Sequence, residues 1–126
     1  MGFLGQGDSL KGLGKIEDAI EAYTQVIELD PQTMSQGLMK RGLLFLQLRK
    51  NEEALKDFNR LTEMAEDKDQ DFQSTSLSKA YFYKAKALKK MNNMNDSLLY
   101  FEQVLRLAED NFLSGSALYE IAKIKI

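Results

Sequence analysis

The residues that could do chemistry are few. They are paired carboxylates, one acidic run and closely spaced glycines. "DKDQD" (Asp67–Asp71) puts oxygens at the first, third and fifth places of a calcium loop, but Phe72 holds the sixth place, where glycine makes the turn, and Ser78 holds the twelfth, where a glutamate should close the site. The run reads as a solvated acidic helix end. Glu17/Asp18 and Glu52/Glu53 could form acid–base pairs, yet each pair opens a helical pattern, where negative charge complements the helix dipole. Glycines 2, 5, 7, 12 and 14 lack the spacing of a phosphate loop, and no strand pattern precedes them. The chain has no cysteine and no histidine, which removes thiolate zinc sites, disulfides and the Ser-His and Cys-His nucleophile pairs. The expectation is a protein without catalysis, cofactor or metal.

The 126 residues are 44% hydrophobic and 29% charged, with one proline and a net charge of −2, as in a soluble domain. The richest apolar stretch, Gly42 to Leu48, is too short to cross a membrane and lies between Lys40/Arg41 and Arg49/Lys50. No signal peptide is legible, and Gln6 stands where a myristoylation signal wants Ser or Thr. A cysteine-free chain fits a reducing, cytoplasmic setting.

The elements that would position any site come from an internal repeat. "KIEDAIEAYTQVIEL" (15–29), "KNEEALKDFNRLTEM" (50–64) and "NMNDSLLYFEQVLRL" (93–107) match class for class. A small residue (Ala19, Ala54, Ser97) is followed by an aliphatic one (Ile20, Leu55, Leu98). Four after the small residue comes an aromatic (Tyr23, Phe58, Phe101), and three further an aliphatic (Val26, Leu61, Val104). Steps of three and four keep these on one helical face. Ahead of each lies another helical pattern of large, small and large residues: Phe3/Gly7/Leu10, Leu38/Gly42/Phe45 and Tyr81/Ala85/Leu88, with Leu118 and Ala122 beginning it again. Breakers at Gly12/Gly14, Arg49–Asn51 and Asn92/Asn93 separate the members of each pair. The small residues predict close antiparallel helix pairs that stack to make a core, so Ala54→Leu is expected to be destructive.

This pattern resembles the tetratricopeptide repeat (TPR) family, best over Phe3 to Pro31 with Gly7, Leu10, Gly14, Ala19, Tyr23 and the closing "ELDP". The resemblance implies an all-α fold, a superhelical solenoid of antiparallel helix pairs. The repeats would occupy about 1–33, 35–68 and 78–111, followed by a lone first helix over 115–126. The small residues recur at intervals of 35 and 43, which places about eight extra residues near 65–76, with Ser76 or Ser78 capping the next helix. Both termini read as cut, as in a fragment of a longer array.

Charge is uneven along this plan. Residues 35–50 hold four basic and no acidic residues, and 78–91 hold five and none. In the TPR family first helices line a concave groove, so the resemblance implies a basic groove and an acidic back. The expected partner-binding row is Lys40, Leu43, Lys79, Phe82, Tyr83, Lys86 and Lys90, continued by Tyr119 and Lys123. Ammonium groups interleaved with apolar side chains suit an acidic peptide with apolar anchors. The implied role is a protein-binding scaffold or adaptor, with no membrane and no nucleic acid partner. The alternative is a structural segment of a longer array that self-associates end to end through uncapped ends. TPR co-chaperones hold a chaperone's C-terminal carboxylate with Lys, Asn, Asn, Lys and Arg; the matching places are Leu4, Asp8, Lys40, Lys79 and Tyr83. Only Lys79 fits, and Asp8 would repel a carboxylate, so chaperone tails are expected not to bind.

Overall fold

A computed structural model describes residues 2–66, 74–107 and 111–125; the acidic run Asp67–Asp71 lies outside them. The described residues form seven helices and no strand: α1 (Phe3–Gly12), α2 (Ile16–Leu29), α3 (Met34–Gln47), α4 (Asn51–Glu66), α5 (Ser74–Lys90), α6 (Met94–Leu107) and α7 (Asn111–Lys125). Acidic residues sit in the first turns of α2, α4 and α6, and Lys89 and Lys90 in the last turn of α5, each on the favourable end of the helix dipole.

One turn joins α1 to α2, α3 to α4 and α5 to α6. Its pivot is left-handed: Gly14 (φ 79°), Arg49 (φ 62°) and Asn92 (φ 64°). The next amide reaches back to a carbonyl five residues earlier, from Lys15 to Leu10 (2.9 Å), Lys50 to Phe45 (2.8 Å) and Asn93 to Leu88 (2.9 Å). This satisfies carbonyls that the ending helix would leave bare. Four residues later stands the small residue of each repeat, Ala19, Ala54 and Ser97, all fully buried.

The chain forms two compact units, Met1–Asp57 and Phe58–Ile126, whose boundary falls inside α4. In the first, α2 packs on α1 and α3. Ala19, Tyr23 and Leu44 make its core, backed by Leu4, Leu10, Ile16 and Ile20. Gly7 is where α1 meets the Tyr23 ring: a Cβ there would lie 2.6 Å from Tyr23 Cδ1, too close for any side chain. Arg41 turns inward and forks onto the buried Asp57, Nε to Oδ2 at 2.9 Å and Nη2 to Oδ1 at 2.6 Å, and donates to Thr24 Oγ1 at 3.2 Å.

In the second unit α6 packs on α5 and α7, and α5 touches α7. Tyr81, Phe82, Ala85, Phe101, Val104, Leu113 and Ala117 form the core. Burying a ring such as Phe101, which is 0% exposed, contributes about 1.5–3 kcal/mol. The close approach expected between Ala85 and Ser97 is present: Ser97 Oγ donates to the Ala85 carbonyl at 2.8 Å. Two expectations fail. Ser78 is a fully buried residue within α5, which has already begun at Ser74, so it stands inside the helix and not at its N-cap. Leu118 is 57% exposed and Ala122 is exposed, because α7 meets the core through Leu113 and Ala117, one stripe away.

Candidate functional site

Within the second unit, the adjoining faces of α5 and α7 border an open cleft of about 550 Å³. From α5 come Phe82, Tyr83 and Lys86; from α7 come Phe112, Gly115, Ser116 and Tyr119, a single stripe at steps of three and four, with Glu120 beside it. The wall on α5 is held rigid by the core. Phe82 is buried and edge-on to both Tyr83 (centroids 5.3 Å apart) and Phe101 (5.6 Å), and Tyr83 stacks on Phe58 at 5.9 Å. Lys86 Nζ lies 5.5 Å from the centre of the Phe82 ring, and Lys123 Nζ 5.0 Å from that of Tyr119.

Glu120, the acidic residue of the lining, accepts a hydrogen bond from Lys89 Nζ at 2.6 Å. Burial pushes its carboxyl up, but that hydrogen bond, with the charges of Lys89, Lys123 and Lys86, outweighs burial and holds it below the usual carboxylate range. With Glu120 neutralised by Lys89, Lys86 makes the cleft basic.

The structure gathers part of the expected row. Lys79, Tyr83, Lys86 and Lys90 fall on one stripe of α5, with Lys79 and Lys90 exposed, and Phe82 lies beside them. Lys40 and Leu43 belong to the first unit, and there Lys40 is engaged: its Nζ lies 2.7 and 2.9 Å from the two carboxylate oxygens of Asp8. Asp8 also accepts the Tyr23 hydroxyl at 2.5 Å. These bonds, that of Lys40 first, hold the Asp8 carboxyl below its ordinary range, while burial and then the Asp8 contact push the Tyr23 hydroxyl well up. The row as expected omitted Phe112, Gly115 and Ser116. Their spacing with Tyr119 is the available signal; the stripe read from the sequence is instead that of Leu118 and Ala122.

Two family models for the tetratricopeptide repeat match the chain, one over residues 4–71 and one over 78–111. The chain belongs to the tetratricopeptide repeat family. Solved TPR-type domains superpose on nearly all of it. The N-terminal domain of stress-induced protein-1 from C. elegans matches with a TM-score of 0.80 and 18% identity, over 98% of this chain and 92% of that one. The first TPR of Spaghetti (RPAP3), bound to the HSP90 peptide SRMEEVD, matches with a TM-score of 0.80 and 24% identity, over 98% and 87%. The second TPR domain of human RPAP3, in complex with the HSP70 peptide SGPTIEEVD, matches with a TM-score of 0.76 and 30% identity, over 96% and 90%. No curated protein matches the sequence.

These complexes overturn the exclusion of chaperone tails, since similar TPR domains carry HSP90 and HSP70 peptides. The sequence argument failed at Asp8. It treated that carboxylate as a lone repelling charge, whereas Lys40, 32 residues away, and Tyr23 neutralise and bind it. Among the described residues no helix is long and apolar enough to cross a membrane.

Proposed function

We propose that this TPR protein is a non-catalytic scaffold or adaptor that holds an acidic partner segment carrying bulky apolar residues. The segment lies along α5 and α7, with the aromatic cleft taking apolar side chains and Lys79, Lys86 and Lys90 facing carboxylates. The observation that carries this reading is the interleaving of rings and ammonium groups around a cleft whose own carboxylate is bound by Lys89. The peptides held by the similar domains have this chemistry: SGPTIEEVD and SRMEEVD each place an apolar residue directly ahead of two glutamates. Chaperone C-terminal peptides are therefore the first ligands to test.

Fluorescence anisotropy of labelled SGPTIEEVD reports the interaction. Lys86→Glu with Lys90→Glu should weaken binding about tenfold or more, with the helical circular dichroism unchanged. Failure of the unaltered protein to bind either peptide overturns the reading; equal affinity of the double variant removes the cleft as the contact surface.

A further inference from the structure

A cleft suited to an acidic partner carries a carboxylate of its own. Glu120 lines the α7 wall, and its side chain is 12% exposed, against 23% for that of Lys89 on α5. Salt and water screen a pair so placed less than one on the open surface. Their bond, from Lys89 Nζ to Glu120 Oε2 at 2.6 Å, runs from α5 to α7. α7 is already seated on the core by Leu113 and Ala117, and an ion pair drawn out of water adds little stability of its own, since desolvation offsets most of the attraction.

What the pair does change is the charge that a ligand meets. Lys86 and Lys89 stand three residues apart on α5, neighbours on the helix surface. Without Glu120 both ammonium groups would be available to a ligand. With it, Lys89 is engaged and Lys86 is the cation of the lining. Lys123 and Lys86 also attract the Glu120 carboxylate, so a Glu120 deprived of Lys89 has those two to turn to.

Resting on the reading above, we infer that the Lys89–Glu120 pair is the charge selector of the cleft: Glu120 takes Lys89 out of use and limits how strongly the cleft favours carboxylates, while Lys89 is a positioning residue that keeps Glu120 from capturing Lys86. Specificity rests on a repulsive element as well as an attractive one. Glu120 is the repulsive element here, and Lys89 sets how far a partner feels it.

The test compares SGPTIEEVD with SGPTIQQVD, which has the same shape without the two glutamate charges. The quantity read is the ratio of their affinities by fluorescence anisotropy at one salt concentration. The unaltered protein should prefer SGPTIEEVD. Glu120→Gln releases Lys89 and should widen that preference about fivefold, although it lowers the thermal midpoint. Lys89→Met should narrow the preference, and Lys89→Met with Glu120→Gln should return it close to that of the unaltered protein. A pair that only braces α7 would move both peptides alike and leave the ratio unchanged in Glu120→Gln, which overturns the selector while keeping the cleft as a binding surface. Equal binding of the two peptides to the unaltered protein overturns it also. Absence of binding by the unaltered protein removes the underlying reading, and the selector with it. Should Lys89→Met lose helicity, the ratios for Glu120→Gln and for the double variant decide the matter.

Discussion

At the scale of single residues, charge in this protein is placed by partners far along the chain. Arg41 counted toward a basic helix in the sequence, yet it is half-buried, forked onto Asp57 with its guanidinium carbon 5.7 Å from the Phe45 ring centre. Asp57→Ala should cost about 1.5–3 kcal/mol, because it leaves a half-buried guanidinium without its carboxylate partner. Arg41→Met with Asp57→Leu should recover most of that loss, and urea midpoints would show it; equal loss in both variants would mean the pair itself, not the stranded charge, sets the cost. Glu120 gives a pH signature. Its folded carboxyl is held below the value it has in the unfolded chain, so its contribution is complete above the ordinary carboxylate range and is lost as pH falls through the folded value. Glu120→Gln should therefore lower stability by about 1 kcal/mol near neutrality, and the difference should vanish in acid once the folded carboxyl is protonated. A gap between the two proteins that persists in acid would show that Lys89 is not the partner that matters.

At the scale of elements, the three turns show what the chain asks of each pivot. Gly14 and Asn92 tolerate a left-handed backbone, and Arg49 does so at a cost of roughly 1 kcal/mol. Arg49 is exposed, so Arg49→Gly should stabilise by about 0.5–1 kcal/mol and raise the thermal midpoint, while Asn92→Gly should gain less. A loss on Arg49→Gly would mean that its side chain contributes more than its backbone costs. The positions of these turns were legible as breakers between patterns of period 3.6. The course of α7 was legible only in part. Its stripe Leu118/Ala122 matches the inward stripe of earlier first helices, yet α6 packs against the neighbouring stripe of Leu113 and Ala117. Leu118 and Ala122 stay exposed, and periodicity alone does not say which of two apolar stripes a neighbour covers.

At the scale of the molecule, the boundary of the two units falls inside α4, with the buried Ala54 and Asp57 on the first unit's side and the buried Phe58 and Leu61 on the second's. Repeat proteins draw stability from neighbouring interfaces. Lys56→Pro, at an exposed place in α4, should cost about 3 kcal/mol or more and speed amide hydrogen exchange in α1–α3 and α5–α7 alike. Faster exchange on one side only would mean that the units open independently.

What the sequence determined by itself is the all-α, paired-helix plan, its family and the turn positions. These follow from local causes: residue size at steps of three and four, and residues that tolerate a left-handed pivot. The same steps set Phe82, Tyr83 and Lys86 close together on one helix, and all three line the cleft. The tertiary structure alone decided which charges stay available. Lys40 lies against Asp8, Arg41 against Asp57 and Lys89 against Glu120, pairs 32, 16 and 31 residues apart. Coulomb attraction depends on distance in space, and a linear count of lysines cannot tell a charge facing a partner from one already neutralised by its own chain.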